Sequence, residues 1–209
     1  MDLIHQIAIG AGLAWGSGIR LYAVVFLAGL LAHFNVVTLP QGLHLLTHPI
    51  VLSASGVMFL FEFFADKIPG FDSIWDAVHT FIRIPAGAVL AAATFSDVDP
   101  AWMLAAGLIG GTIASGSHLA KTGSRAVINT SPEPFSNWVA SFTEEAAVLG
   151  GLWVMFMHPV AFLVLLVVFL ALAAWLIPKL WRAIGALLRR LRGDRPDPTR
   201  PRLESGRTS

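Results

Sequence analysis

The stretch PVAFLVLLVVFLALAAWLI, residues 159–177, contains no charged, amide or hydroxyl side chain. A helix of that length crosses the roughly 30 Å hydrocarbon core of a bilayer. Inside lipid every backbone N–H and C=O must be satisfied within the chain, so a run of this kind folds as a helix and never as an open sheet. Similar apolar runs recur from the N-terminus onward. The 209 residues are 56% hydrophobic and only 13% charged, and the mean hydropathy is +0.70, a balance foreign to soluble globular domains. The expected fold class is an all-α polytopic membrane protein with about six transmembrane helices.

Charge divides the chain in two. Residues 1–178 carry five basic residues, Arg20, Lys67, Arg83, Lys121 and Arg125, against ten acidic ones, and the other nine basic residues follow Pro178. A basic block directly after an apolar span marks the cytoplasmic side, so the C-terminus is expected in the cytoplasm. Residues 1–178 read as one membrane domain, 179–192 as a basic amphipathic helix on the membrane surface, and 193–209 as a disordered Pro- and Arg-rich tail. Membrane lipids are the expected partners of the basic block, and nucleic acid is not. The absence of cysteine excludes disulfides, thiolate metal sites and cysteine nucleophiles. MDLIHQIAIG lacks a basic n-region and a cleavage site, so no removable signal peptide is read.

Charges within apolar surroundings are costly unless paired or used. They concentrate in FLFEFFADKIPGFDSIWDAVHTFIRIPAGAVLAAATF, residues 59–95. A span over 49–65 ends in Glu62 and Asp66, one turn apart on a single face. Ile68-Pro69-Gly70 breaks the helix, and Asp72 enters the first turn of the next, where a carboxylate suits the helix dipole. Asp72, Asp76, His79 and Arg83 follow the spacing 4, 3, 4, one polar stripe opposite Phe71, Ile74, Trp75, Val78 and Ile82. The mixed sign of that stripe, running straight into IPAGAVLAAATF, points to a helix facing a polar cavity. Further on, Glu144 and Glu145 interrupt another span. Adjacent side chains point about 100° apart, so only one glutamate is expected to face the partner of Glu62.

Glycine and serine mark the remaining irregularities. In GSGIR, residues 16–20, a kink or a junction of two half-helices is expected, with Arg20 at membrane depth. AWMLAAGLIGGTIASGSHLA, residues 101–120, repeats the opening of the chain. Gly10, Leu13, Ala14, Gly16 and Ser17 match Gly110, Ile113, Ala114, Gly116 and Ser117 at a constant offset of 100, and Gly18-Ile19-Arg20 matches Gly123-Ser124-Arg125 after a five-residue insertion. Chance similarity and close helix packing are the alternatives. Three spans in repeat 1, about 3–95, and three in repeat 2, about 101–177, would invert the second copy, the 3+3 plan of many secondary transporters with broken or re-entrant helices near the midplane. KTGSRAVINTSPEP, residues 121–134, reads as a loop or re-entrant turn, and 35–48 as a loop with His33, His44 and His48 at the interface.

At ADKIPGFDSIWDAVHTFIRIPAGA, residues 65–88, and at GLAWGSGIRLY, KTGSR and NTSPEP, the chain resembles a widespread bacterial family of small integral membrane proteins classed as a domain of unknown function. The likeness covers roughly residues 5–178. It implies a six-helix domain in the bacterial inner membrane, and it makes Asp66, Lys67, Asp72, Asp76, His79 and Arg83 family features. It brings no activity with it.

From the residues, the leading expectation is a small secondary transporter or flippase-like protein for a small anion or a lipid-linked phosphate. Arg20, Arg125, Ser17, Ser117, Gly16 and Gly116 would bind substrate, because arginines and half-helix N-termini suit phosphate and carboxylate. Glu62, Asp66, Lys67, Asp72, Asp76, His79, Arg83 and Glu145 would form the coupling cluster for a proton or cation. A second reading is a structural protein in which the charges are internal salt bridges, Asp76 or Asp72 with Arg83 or Arg20 and Lys67 with Glu145. A third is a membrane-embedded enzyme on a lipid substrate, with Asp72, Asp76, Glu62 and His79 around a divalent metal; neither HExxH nor a multi-aspartate signature supports it. No catalytic residue and no cofactor is assigned, the metal question stays open, and so does a second copy of the chain as partner.

Overall fold

The computed structural model describes residues 1–68, 70–129 and 134–191, all helix, turn and connecting loop. The elements are α1 (Leu3–His33), a 3-10 segment (Gln41–Thr47), α2 (Pro49–Ala65), α3 (Phe71–Ala93), α4 (Pro100–Ile128), α5 (Pro134–Met157) and α6 (Pro159–Leu191). Local chemistry sets their starts. The Asp2 carboxylate accepts from the His5 backbone N–H at 2.8 Å and the Asp99 carboxylate from Ala101 at 2.7 Å, the usual role of an N-cap. Pro49 and Pro100 open their helices, where a missing N–H costs nothing. Gly70, at φ +81°, makes the left-handed turn before α3 that other residues resist.

Four helices are long and apolar enough to cross a membrane: Leu3–His33, Pro100–Ile128, Phe135–Met157 and Pro159–Arg182. A fifth is added if Gln41–Thr47 and Pro49–Ala65, bent by 67°, count as one span. These helices are compatible with a membrane protein.

α1 is a hairpin. Arg20 leaves helical geometry at φ −145° and ψ 80°. A Cβ built on Gly16 would lie 2.6 Å from Val24 Cγ2, whereas eight residues along a straight helix are about 12 Å apart. Asp2, Gln6 and Ile9 accordingly line one cavity with Asn35, Val37 and Phe156. The expected break therefore exists, but at Arg20. Gly16–Gly18 stay helical, and it is Arg20 that is drawn out of line to reach Ser141 of α5 and Asp66.

Small residues hold the centre. A Cβ on Gly87 of α3 would meet Ala114 of α4 and Ser17 of α1, one on Gly110 would meet Ala91 and, at 3.5 Å, Ala14, and one on Gly18 would strike Ser117 and the Ala114 carbonyl. The three backbones thus approach as closely as side chains allow, the usual device where lipid supplies no hydrophobic drive between helices. Progress along these contacts gives direction. Ala14 lies by Gly110 and Gly18 by Ser117, so the first half of α1 runs parallel to α4, while α3 runs antiparallel to both. The two copies of the Gly-Ser motif thus meet in parallel, not inverted, because α1 reverses at Arg20, a turn that the count of helices from sequence did not include.

Three other expectations change. α4 continues unbroken through Gly116 and on to Ile128, so 121–128 is helix and the second copy has no break; Lys121 and Arg125 point into the protein and leave no reason to unwind. Residues 35–48 contain the 3-10 segment. α6 runs through Pro178 to Leu191, so Lys179 continues the span instead of starting a separate helix. The expected tail at 193–209 lies outside the described residues. His33, His44 and His48 are exposed.

Two tests follow from this architecture. Residues 1–9 lie at the end of the bundle shared with Phe156, whereas Leu180 packs on Gly123 at the other end. In this cysteine-free chain, thiols introduced by Asp2→Cys and Lys179→Cys should label from opposite sides of sealed vesicles; labelling from one side would refute the hairpin. Gly18→Ala, which forces a methyl into Ser117, should lower stability by about 1–3 kcal/mol in a denaturant titration, the usual cost of overpacking. The control Gly150→Ala, with nothing within 4 Å of its Cβ, should change little.

Candidate charged site within the bundle

One connected layer of charge lies between five helices. The Arg83 guanidinium is wholly buried, donating through Nη2 to Glu62 Oε1 at 2.7 Å and through Nη1 to Asp76 Oδ1. Asp76 Oδ1 also lies 3.3 Å from Lys121 Nζ. Lys121 donates to Asp66 Oδ2 at 2.9 Å and to the Ile19 carbonyl at 3.1 Å, an acceptor whose own helical partner is lost at the Arg20 break. Asp66 Oδ2 is 3.0 Å from Arg20 Nη2, which donates to Ser141 Oγ at 2.8 Å and faces Glu145 Oε1 at 3.4 Å.

Arg125 completes the layer from α4. Its Nε and Nη2 grip Glu144 at 2.8 and 3.0 Å, the bidentate geometry that suits guanidinium to carboxylate. Its Nη1 donates to the Asp66 carbonyl at 3.0 Å and lies 3.8 Å from Asp72 Oδ2. Asp72 accepts from Asn129 Nδ2 at 2.9 Å, and Asn137 Nδ2 donates to Asn129 Oδ1 at 2.8 Å. At the edge, Lys67 Nζ sits 3.4 Å from Glu145 and 3.0 Å from the centre of the Phe63 ring, a cation–π contact.

Glu62, Asp66, Asp72, Asp76, Arg83, Lys67, Glu145, Arg20 and Arg125 thus come together, with the Asp76–Arg83 and Lys67–Glu145 pairs foreseen from sequence. His79 lies on the stripe but outside the network. It stacks on Trp75 at 4.1 Å, its Nδ1 is 2.8 Å from the Trp75 carbonyl, and Tyr22 meets its edge. Ser17 and Ser117 donate back to Ala14 and Ile113 of their own helices, and Gly16 faces Val24 while Gly116 faces Leu170 of α6. These four residues pack helices and touch none of the charges.

Lys121, Glu144, Asn129, Asn137, Ser141 and His118 were missed. Lys121 was hidden by reading KTGSR as a loop, although its four-residue spacing to Arg125 puts both on one helix face. Glu144 was hidden by the 100° argument, which overlooked that two neighbouring side chains can flank one cluster: Glu144 turns to Arg125 and Glu145 to Lys67. Neither reaches the Glu62 partner Arg83.

A cavity of about 320 Å³ adjoins the layer, lined by Asp76, Thr80, His118, Thr122, Arg125 and Trp181 among others. His118 Nε2 lies 2.7 Å from Thr80 Oγ1. Asp76 Oδ2, Glu62 Oε2, Asp66 Oδ1 and Arg83 Nε have no hydrogen-bond partner among the described residues. Those residues hold no group of three or more His, Asp or Glu placed to bind a metal ion; the carboxylates turn to guanidinium and ammonium groups instead.

Removing one partner from such a layer should be worse than removing two. Arg83→Met strands Glu62 and Asp76, and breaking a buried pair in this way costs about 3–5 kcal/mol. Adding Glu62→Gln to Arg83→Met should restore part of the folded yield measured by size-exclusion chromatography. A double variant as poor as the single one would contradict the pairing.

The family described as Domain of unknown function (DUF4126) matches residues 7–179. No curated protein and no solved structure matches the chain.

Proposed function

The chain belongs to this family of unknown function, and from the geometry of its charged layer we propose a small secondary transporter or flippase-like membrane protein. It would move a small anion or an anionic headgroup with a proton or cation coupled to it. One observation carries the reading: five cations, Arg20, Lys67, Arg83, Lys121 and Arg125, interlock with six carboxylates, Glu62, Asp66, Asp72, Asp76, Glu144 and Glu145, beside a cavity. With all eleven ionised the layer has one negative charge in excess. An unbalanced charge at membrane depth is costly, so the layer favours taking up one proton or one monovalent cation.

That excess suggests how cargo and coupling ion are linked. Glu144 is half-buried and occupies both prongs of Arg125. When Glu144 binds a proton its hold on Arg125 weakens, and a phosphate or carboxylate offers the same two-oxygen geometry. The cargo anion and the proton then enter together, and total charge in the layer is kept. Arg20, wholly buried between Asp66, Ser141 and Glu145, holds the layer together instead of meeting cargo.

In this reading α3 also crosses the membrane with its charged stripe inward, the two arms of α1 and helices α2 to α6 make seven passes, and the Gly-Ser duplication is a parallel pair. The basic end of α6 faces the cytoplasm of a bacterial inner membrane by the positive-inside rule, which puts residues 1–9 outside. The structural alternative rests on a specific observation as well, since every cation of the layer has a carboxylate within 4 Å.

Flux in vesicles separates the two. Protein reconstituted without other components should drive proton movement with a pH-sensitive dye when inorganic phosphate, glycerol 3-phosphate or a fluorescent anionic lipid is supplied on one side. Glu144→Gln should reduce coupling about tenfold or more, the scale of one charge-assisted hydrogen bond at about 1.5–3 kcal/mol, while the fold is retained. Absence of flux with all three cargoes, from a wild-type protein that is folded in the vesicle, would leave the structural reading standing.

A further inference from the structure

We infer that the cavity between α3, α4 and α6 receives the headgroup end of an anionic phospholipid carrying free hydroxyls, entering sideways from the membrane. This deepens the transport reading and rests on it for its meaning, though the binding itself can be measured alone.

The cavity has two unlike ends. Its inner end holds Asp76, His118 and Arg125, all at most 1% exposed, together with Thr80 and Thr122. Its outer walls are Ala77, Leu119, Ala126 and Trp181, and Ala77, Leu119 and Trp181 are exposed on faces that also carry Val78 and Val127. The opening is therefore bordered mainly by exposed apolar side chains, with Ser73 beside them, toward the end of the bundle where Leu180 packs on Gly123. A site with apolar walls and a buried polar floor fits a molecule that is itself apolar at one end and polar at the other.

The floor selects the headgroup. Asp76 spends Oδ1 on Arg83 and Lys121, while Oδ2 has no partner among the described residues. An open carboxylate oxygen accepts hydrogen bonds, so the ligand must offer donors, and hydroxyls do so without adding charge. Arg125 supplies a cation at the same floor. A phosphodiester is attracted by that cation, and Trp181 is the kind of side chain that settles at a headgroup boundary. Hydroxyl donors, one negative phosphate and an acyl anchor together describe a glycerol-headed phospholipid. A choline headgroup has no hydroxyl to give, and free phosphate has no chain for the walls.

The test uses the absence of native cysteine. The thiol introduced by Ala77→Cys, or in a second variant by Ala126→Cys, reports access to the cavity in the full-length protein in detergent. Each variant is first required to match wild type in thermal stability. Phosphatidylglycerol added to the micelles should slow maleimide labelling of both thiols several-fold, while the thiol of Val164→Cys, exposed on α6, is unaffected. Asp76→Asn should weaken that protection. Equal protection by phosphatidylcholine would overturn the headgroup assignment, equal protection by inorganic phosphate or glycerol 3-phosphate would overturn the lipid source, and no protection by any of them would overturn the site. Protection without flux in vesicles would sink the transport reading and leave the lipid site standing; flux without protection would do the reverse.

Discussion

The Asp66 carboxylate is the tie on which the rest of the bundle depends. Its Oδ2 meets Arg20 at 3.0 Å and Lys121 at 2.9 Å, so one oxygen joins the reversal of α1, the end of α2 and the inner face of α4. None of the three charges is exposed by more than a few per cent. Removing any one strands the others where neither water nor lipid can take their place, and that cost exceeds the worth of the pair itself. The hairpin at Arg20 follows from the same contact. An arginine that must reach Asp66 and Ser141 is pulled out of helical geometry, and the carbonyl released at Ile19 is taken up by Lys121.

Small residues make this tie reachable. Ala14, Ser17 and Gly18 of α1, Gly87 and Ala91 of α3, and Gly110, Ala114 and Ser117 of α4 bring three backbones into contact beginning within about one turn of the charges. Close contact matters because the attraction of a charged pair falls with separation and falls far more when water enters and raises the local dielectric. The glycines thus belong to the electrostatics indirectly: they set the spacing at which Arg83, Lys121 and Asp76 meet. Their sequence pattern, read as a cargo site, is better explained as this packing.

Helix positions were legible where periodicity and punctuation agreed. Pro49–Ala65 is delimited by proline and by the acidic pair, and the stripe from Asp72 to Arg83 turned inward as its spacing required. What hid the rest was distance in sequence. Nothing local to Lys121 says that Asp66, fifty-five positions earlier, waits for it, and polar composition alone made 121–129 read as loop. The hairpin was half visible, since GSGIR announced a break. Its sharpness was not, because a kink and a full reversal share one sequence signature and only the partners of Arg20 distinguish them. That ambiguity propagated: one unrecognised reversal changes the number of helical arms before α4, and a relation that would be inverted becomes parallel.

A layer of alternating charge can serve rigidity or exchange, and the count of charges separates the two in principle. A purely structural network gains most from neutrality, since any excess raises the energy of the whole layer and must be offset by hydration that the bundle restricts. Here six carboxylates face five cations among the described residues, and open valences remain on Glu62, Asp66, Asp76 and Arg83. Arg20 Nε and Nη1 are unpartnered as well, so open valences lie on cations and carboxylates alike, and it is the count of charges, not the hydrogen bonding, that leaves room for one more positive charge. On the proposed transport reading the layer holds a proton or cation reversibly, and Glu144, partly exposed and clamped on Arg125, stands where gaining that charge would release the cation facing the cavity.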